Sequence, residues 1–309
     1  MSSNSAAWAA LNFQSGHDGF GSILDANVAD PFTDPNDGSE PVDELQVGAP
    51  TIAQVVSCDV ESYSAWTCSQ TNMQGRSINV PAGMMPAGNS DHHYSYDDYG
   101  ANGEYDFWLA PMPGAPGATL HVGGAGFCAW GTDGTNCSGS NATGIATSLG
   151  GIDPVLLQAA ESSPNGTLPY AITAAVLCAD PTWVYPAAGS DGANTNSSSA
   201  CAAATGAGQR PPEGTRWFLN MTDAQVNATN NAPYVKVLLR TIDRQHYGGV
   251  IADTNWAGAP GLSFNYHRGN FNFAATEAGM SITANMAIPV TTNGFDPAKA
   301  IEFCTNGTC

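Results

Sequence analysis

The sequence has few charged residues, and very few of them are basic. Charged side chains make up 11% of the 309 residues, against roughly 25% in an ordinary soluble domain. Eight are Lys or Arg and 27 are Asp or Glu, which gives a formal net charge of −19 at pH 7. Arg76 is the only Lys or Arg before position 200. A field of this sign repels polyphosphates, so we expect no nucleic-acid partner.

Several sequence signals are also missing. No apolar run approaches the length of about 20 residues that a membrane helix requires, so we predict no membrane span. The polar start MSSNSAAWAALN lacks the basic and apolar regions of a signal peptide, and we expect a mature or recombinantly expressed chain. Gly-x-Ser-x-Gly, His-Glu-x-x-His and an odd cysteine are absent, which leaves serine, zinc-protease and cysteine chemistry without support.

The cysteines are present in an even number and fall into neighbouring pairs. Eight cysteines allow 105 connectivities, and pairing between neighbours is the simplest of them. A disulfide framework is typical of an oxidising compartment, so we predict a secreted or cell-surface protein. The predicted bonds are Cys58–Cys68, Cys128–Cys137, Cys178–Cys201 and Cys304–Cys309.

Glycosylation sequons are consistent with export. Asn-x-Ser/Thr motifs mark exposed acceptor sites in exported proteins, although some arise by chance in an Asn- and Thr-rich chain. The candidate glycosylation sites are Asn136, Asn141, Asn165, Asn196, Asn220, Asn227 and Asn306.

The first 50 residues are acidic and rich in turn residues. We predict an N-terminal arm over 1–50 and a single β-rich domain over 51–309. A solvated surface arm accounts for the composition of 1–50. The alternative is a Ca²⁺ loop, since this segment offers hard oxygen ligands without the EF-hand spacing. Its candidate ligands are Asp25, Asn27, Asp30, Asp34 and Asp37. No other cofactor is expected.

The rest of the chain alternates short β-branched or aromatic runs with Gly, Pro and Asn. This pattern predicts a mostly β fold, a sandwich or jelly roll with two short helices and long disulfide-stapled loops. Predicted strands are RSINV, EYDFWLA, ATLHV, GFCAW, YAITAAVLC, TWVY, TRWFL, GVIAD and LSFNY.

Two segments interrupt the strands with helical patterns. Asp153 and Pro154 form a suitable start for a short helix. Residues 233–246 place Val235, Leu238, Leu239 and Ile242 on one face, which predicts an amphipathic helix packed on the sheet.

The densest set of chemical groups lies in DHHYSYDDYGANGEYDFW. If its two ends pair around a turn, Glu104, Asp106 and Trp108 share one face by the two-residue period of a strand. Alternate residues of a strand lie about 6.5 to 7 Å apart, which fits the carboxyl separation of about 5 to 9 Å in glycosidases. We therefore predict Glu104 and Asp106 as catalytic acid and base, although any Glu-x-Asp strand meets this spacing.

A second polar strand end completes the predicted site. In VIADTNWAG, Asp253 is the predicted partner of the Glu104 and Asp106 carboxylates, from another strand, and Trp256 is predicted to stack on a sugar ring. The alternative for this segment is an Asx turn that closes the strand. Trp108 and His93 are the other predicted substrate-binding residues. His92 and His93 could instead make structural hydrogen bonds or join a metal site, and the sequence leaves the metal unknown.

Several sequence blocks in order resemble a group of secreted bacterial hypothetical proteins. The blocks are PAGNSDHHY, EYDFW, TWVYPA and LLRTIDRQHYGGVIAD, within residues 75–260. The resemblance implies an exported protein with a common core and implies no activity.

Together these patterns favour a secreted carbohydrate-active protein. The first hypothesis is a glycan hydrolase or lyase that uses paired carboxylates on an extracellular glycan. The alternative is a non-catalytic surface protein, either a glycan-binding module or a self-assembling filament subunit. Low charge and abundant Gly, Asn and Thr suit both classes. A cleft containing two carboxylates would favour the enzyme.

Overall fold

The structure is a computed structural model. It describes residues 6–8, 25–27, 40–60, 68, 72–87, 92–131, 137–140, 143–146, 150–176, 178–190, 203–204, 208–243, 250–255, 261–263, 265–267, 286–287 and 301–304. Only the backbone is described for 25–27, 40–41, 154–155, 174–176, 250–255, 261–263, 265–267, 286–287 and 301–303. Every structural statement below concerns these residues.

The fold is mostly β, as the sequence predicted, and its helices are few and short. The helices are α1 (Pro154–Glu161), α2 (Asp223–Asn227) and α3 (Pro233–Thr241). The strands are β1 (Asp25–Asn27), β2 (Glu40–Leu45), β3 (Thr51–Cys58), β4 (Ser77–Pro81), β5 (Tyr94–Asp98), β6 (Gly103–Trp108), β7 (Ala118–Val122), β8 (Gly124–Ala129), β9 (Ile172–Val176), β10 (Asp180–Trp183), β11 (Pro212–Glu213), β12 (Arg216–Leu219), β13 (Val250–Asn255), β14 (Gly261–Ser263), β15 (Asn265–His267), β16 (Met286–Ala287) and β17 (Ile301–Phe303).

The described strands form mixed sheets. Seven strands pair in the order β16-β1-β14-β9-β13-β12-β17, and five in the order β15-β2-β5-β6-β8. Strands β4, β3 and β7 form a third sheet, and β10 pairs with β11. In the five-stranded sheet, β2 runs parallel to β5 and β15, whereas β5, β6 and β8 are successive antiparallel neighbours.

A sandwich core lies between the five-stranded sheet and the β4-β3-β7 sheet. The first sheet contributes a stack of aromatic rings, in which the Tyr96 centroid lies 5.0 Å from that of Tyr105 and 6.2 Å from that of Phe107. The second sheet contributes Val80 and Leu120, which are also fully buried. Alternation along each strand therefore commits one face of the five-stranded sheet to this core.

The predicted amphipathic helix is confirmed as α3. Val235, Leu238, Leu239 and Ile242 are all buried. The helix packs against α1 and α2, whereas the sequence predicted packing on the sheet. It ends at Thr241, before the predicted end at residue 246. The predicted start of α1 is confirmed too, because the Asp153 carboxylate accepts a hydrogen bond from the Leu156 N–H at 3.2 Å.

Two of the four predicted disulfides are confirmed. Cys58 is bonded to Cys68 and Cys128 to Cys137. Cys178 and Cys304 are each disulfide-bonded. Their predicted partners, Cys201 and Cys309, lie outside the described residues, so these two pairings stay predictions.

The predicted N-terminal arm contributes strands to two sheets. Leu45 of β2 is buried in the sandwich core, Val42 is buried on the opposite face of the same strand, and the backbone of β1 pairs with β14. At least residues 40–45 of the acidic segment are therefore part of the β-rich body and not a solvated extension.

Candidate functional site

Asp106 is an anchor for a loop that covers the outer face of the five-stranded sheet. It is fully buried, and its carboxylate accepts hydrogen bonds from the Ser95 hydroxyl at 3.0 Å and the Ser140 hydroxyl at 2.7 Å. The Ser140 backbone N–H donates a third bond at 2.9 Å. These three donors saturate much of the accepting capacity of the carboxylate.

Segment 137–140 reaches Asp106 because β8 leaves room for it. Ser138 bridges to Phe127, and an added Cβ at Gly126 would collide with the Ser138 carbonyl group. The disulfide between Cys128 and Cys137 holds the same segment against β8. The Gly-rich sequence around Gly126 is therefore a strand followed by a loop that a disulfide holds against it.

Glu104, Asp106 and Trp108 share one face of β6, as the two-residue period predicted. In the part of the chain that the structure describes, the carboxylates of Glu104 and Asp106 on this face are both buried. Glu104 is 1% exposed and Asp106 is 0% exposed, because β6 is an inner strand and segment 137–140 covers its outer face. Trp108 is partly exposed, and its ring lies against Gly123.

The register of the sheet brings other carboxylates beside Glu104. Asp97 of β5 is the direct partner of Glu104, and Glu44 of β2 is the direct partner of Asp97. Direct partners point to the same face, with Cβ atoms about 4.5 to 5.5 Å apart in antiparallel pairs. The three carboxylates thus form a row, in which Glu44 is exposed, Asp97 partly exposed and Glu104 buried.

An aromatic pair lies at the end of this row. Tyr99 follows β5 and Trp130 follows β8, and their ring centroids are 5.2 Å apart in an edge-to-face arrangement with an interplanar angle of 70°. Tyr99 is 43% exposed. The backbone N–H of Trp130 donates a hydrogen bond to the Asn102 carbonyl, and the backbone N–H of Tyr99 donates one to the Leu45 carbonyl. These two bonds fix the backbone of both residues.

The carboxylates act on Tyr99 electrostatically. Partial burial first, and then the negative charges of Glu44 and Asp97, raise the pKa of the Tyr99 hydroxyl above its usual value. The shift supports the proximity that the register indicates. We call Glu44, Asp97, Glu104, Tyr99 and Trp130 together the acidic–aromatic patch.

The sequence reasoning singled out Glu104 in this patch and missed the other four residues. Asp97 lies near the middle of DHHYSYDDYGANGEYDFW, where a turn is expected between the two ends, although β5 extends to Asp98. Glu44 was assigned to the arm. The parallel pairing of β2 with β5 is what places Glu44 beside Asp97, and no local sequence signal reveals such a pairing.

The other predicted site residues are not brought into the patch. His93 is partly buried just before β5, at the end of the strand that is remote from Tyr99. The neighbouring His92 ring nitrogen Nδ1 lies 2.9 Å from the Ala87 carbonyl oxygen. Asp253 lies in β13 with only its backbone described, and Trp256 lies outside the described residues.

A separate polar cluster lies at the ends of β3 and β7. His121 is the register partner of Ser57, and its Nδ1 lies 2.9 and 2.8 Å from the two carboxylate oxygens of Asp59. Ser57 donates to Asp59 at 3.1 Å. The His121 hydrogen bond, ahead of the smaller effects of Ser57 and of the His121 charge, lowers the pKa of Asp59. These side chains are about half exposed and link the two strands at the surface.

Three predicted glycosylation sites lie on exposed described residues, namely Asn165, Asn220 and Asn227. The Asn227 side chain accepts a hydrogen bond from Arg240 at 2.7 Å and donates one to Asn165 at 3.3 Å. Asn136, Asn141, Asn196 and Asn306 lie outside the described residues. Glycosylation stays a prediction for all seven.

Within the described part of the chain, no group of three or more His, Cys, Asp or Glu side chains is arranged to hold a metal ion. The proposed Ca²⁺ ligands Asp30, Asp34 and Asp37 lie outside that part, and Asp25 and Asn27 are described by backbone alone. None of the helices that the structure describes has the length and apolar character of a membrane span.

Comparisons with family models, with curated proteins and with solved structures found no match. Any assignment of function therefore depends on the chemistry of the patch itself.

Proposed function

We propose that this chain is an extracellular carbohydrate-binding protein whose sugar site is the acidic–aromatic patch. The observation that carries the proposal is the pair formed by the exposed Tyr99 and the partly exposed Trp130, beside the carboxylates of Glu44 and Asp97. An aromatic ring offers an apolar face to the C–H groups of a sugar ring, and carboxylates accept hydrogen bonds from its hydroxyl groups. The two confirmed disulfides are compatible with an extracellular location.

The position of the patch supports binding more than it supports the predicted Asp106 chemistry. Asp106 already accepts hydrogen bonds from three donors inside the protein, whereas Glu44 and Tyr99 face solvent. A binding site on a rigid sheet end also needs little reorganisation, which lowers the entropic cost of association.

The test is the affinity for a panel of soluble oligosaccharides, measured by titration calorimetry with the full chain. Tyr99→Ala should weaken binding at least tenfold, because it removes the exposed ring of the pair. The matched control is Tyr185→Ala, since Tyr185 is another exposed tyrosine, 56% exposed, beyond β10. It should leave affinity unchanged. Loss of binding in the control with none in Tyr99→Ala would overturn the assignment of the site.

Hydrolysis is a second candidate, favoured by one specific observation. Asp97 and Glu104 are direct partners on antiparallel strands, so their side chains leave the same face of the sheet side by side, and retaining glycosidases use two neighbouring carboxyl groups. If a bound oligosaccharide is cleaved, Glu104→Gln should reduce the release of reducing ends at least a hundredfold and retain binding. Unchanged release would exclude this pair. Self-assembly, the other predicted role, stays a prediction.

A further inference from the structure

The charges around the Tyr99–Trp130 pair indicate which class of sugar the acidic–aromatic patch binds. We propose that the acidic–aromatic patch selects a positively charged glycan, an oligosaccharide of glucosamine with free amino groups, over neutral and anionic glycans. This inference rests on the proposed carbohydrate-binding function and adds the charge of the ligand to it.

The first argument is the attraction between a cation and an aromatic ring. An ammonium group over the face of Trp or Tyr, within about 6 Å of the ring centroid, is attracted by the electron density of the ring. Tyr99 is exposed and Trp130 is partly exposed, and their two rings are inclined at 70° to each other. A neutral hydroxyl group gains much less from the same rings.

The second argument is the charge beside the rings. Glu44 is exposed and Asp97 partly exposed, on neighbouring strands and in register, so both carboxylates point to the side of the sheet that carries the patch. The negative field of these two groups reaches the Tyr99 hydroxyl. An ammonium group bound at Tyr99 would therefore be stabilised by charge-assisted hydrogen bonds to a carboxylate.

The third argument is the position of Arg76, the only Lys or Arg before position 200. Its guanidinium carbon lies 4.7 Å from the Phe127 ring centroid and 5.4 Å from that of Tyr105. Phe127 and Tyr105 belong to the core face of the sheet, opposite the face that carries Glu104. Arg76 therefore lies on the other side of the sheet from the patch. The net charge of −19 adds a long-range attraction for cations and a repulsion for anionic glycans.

The experiment compares four tetrasaccharides of similar size at a pH where free amines are protonated. They are built of glucosamine, N-acetylglucosamine, glucose and galacturonic acid. We expect the glucosamine tetramer to bind at least tenfold more tightly than its N-acetylated form, and the galacturonic acid tetramer not to bind. Raising the salt concentration should weaken the glucosamine complex most, because salt screens exposed charges.

Variants separate a specific site from general attraction to an acidic protein. Glu44→Gln should reduce the preference for glucosamine severalfold, and the matched control Asp59→Asn, an exposed carboxylate on the β3–β7 side, should not. Equal losses in both variants would overturn the proposal, because they would indicate a non-specific field. Equal affinity for the glucosamine and N-acetylglucosamine tetramers would overturn the charge preference and leave the carbohydrate function intact. If no tetramer of any charge binds, the proposed function itself fails.

Discussion

Asp106 is a buried carboxylate that holds segment 137–140 against the sheet. Removing a carboxylate from water is costly unless donors replace the solvent. Ser95 and Ser140 supply those donors, and Ser140 belongs to a segment that has no strand of its own beside β6. Hydrogen bonds from Ser95 and Ser140 therefore replace the water around the carboxylate, and the bonds from Ser140 attach the loop to the sheet.

Asp106→Ala should lower the free energy of unfolding by about 1 to 3 kcal/mol for each buried hydroxyl or N–H donor that it leaves without an acceptor. Chemical denaturation monitored by fluorescence measures the change. The exposed Glu44→Ala is the matched control and should shift stability by no more than about 0.5 kcal/mol. A change this small in Asp106→Ala would contradict the anchoring role.

Asp59 gives a prediction for the pH dependence of stability. Its pKa is lowered in the folded protein, chiefly by the His121 hydrogen bond, so folding favours the ionised carboxylate. The resulting stabilisation is present above the unfolded pKa of about 3.9 and is lost as the pH falls through the lower folded value. Asp59→Asn should therefore reduce Tm at pH 7 and converge with the unmodified protein at strongly acid pH. A constant difference in Tm across this range would exclude the linkage.

At the scale of elements, α3 depends on the burial of its apolar stripe. Leu239 is 1% exposed, so Leu239→Ala should cost about 2 to 5 kcal/mol of unfolding free energy through lost burial and a cavity. Thermal or urea unfolding measures this cost. Lys236→Ala, on the more exposed side of the same helix, should have little effect. Equal effects of the two substitutions would show that the stripe does not anchor the helix.

Local patterns predicted many elements and failed where pairing is remote. The period of β6 correctly placed Glu104, Asp106 and Trp108 on one face, yet the cover over that face comes from segment 137–140. Strand β3 was missed, because the buried Gln54 interrupts its apolar alternation. The side-chain amide of Gln54 donates a hydrogen bond to the Ala115 carbonyl at 2.9 Å, which offsets the cost of burying this polar group.

A predicted single strand also proved to be two. The sequence LSFNY is divided between β14, which pairs with β1 and β9, and β15, which pairs with β2. A run of apolar and aromatic residues identifies extended backbone, but the sheet that each residue joins depends on partners elsewhere in the chain. The acidic–aromatic patch was only partly predictable for the same reason.

For the whole molecule, the pairing of β2 with β15 has a consequence for the order of folding. Glu40 of β2 is the partner of Asn265, a residue far along the chain, and β1 makes a similarly distant pairing with β14. Contacts of such long sequence separation are closed slowly, since the chain must first lose the entropy of a large loop. During synthesis, β2 is made early and its β15 partner emerges late. The nascent chain therefore remains without its complete five-stranded sheet until most of it has been translated, a state in which β2 presents an unpaired edge to chaperones.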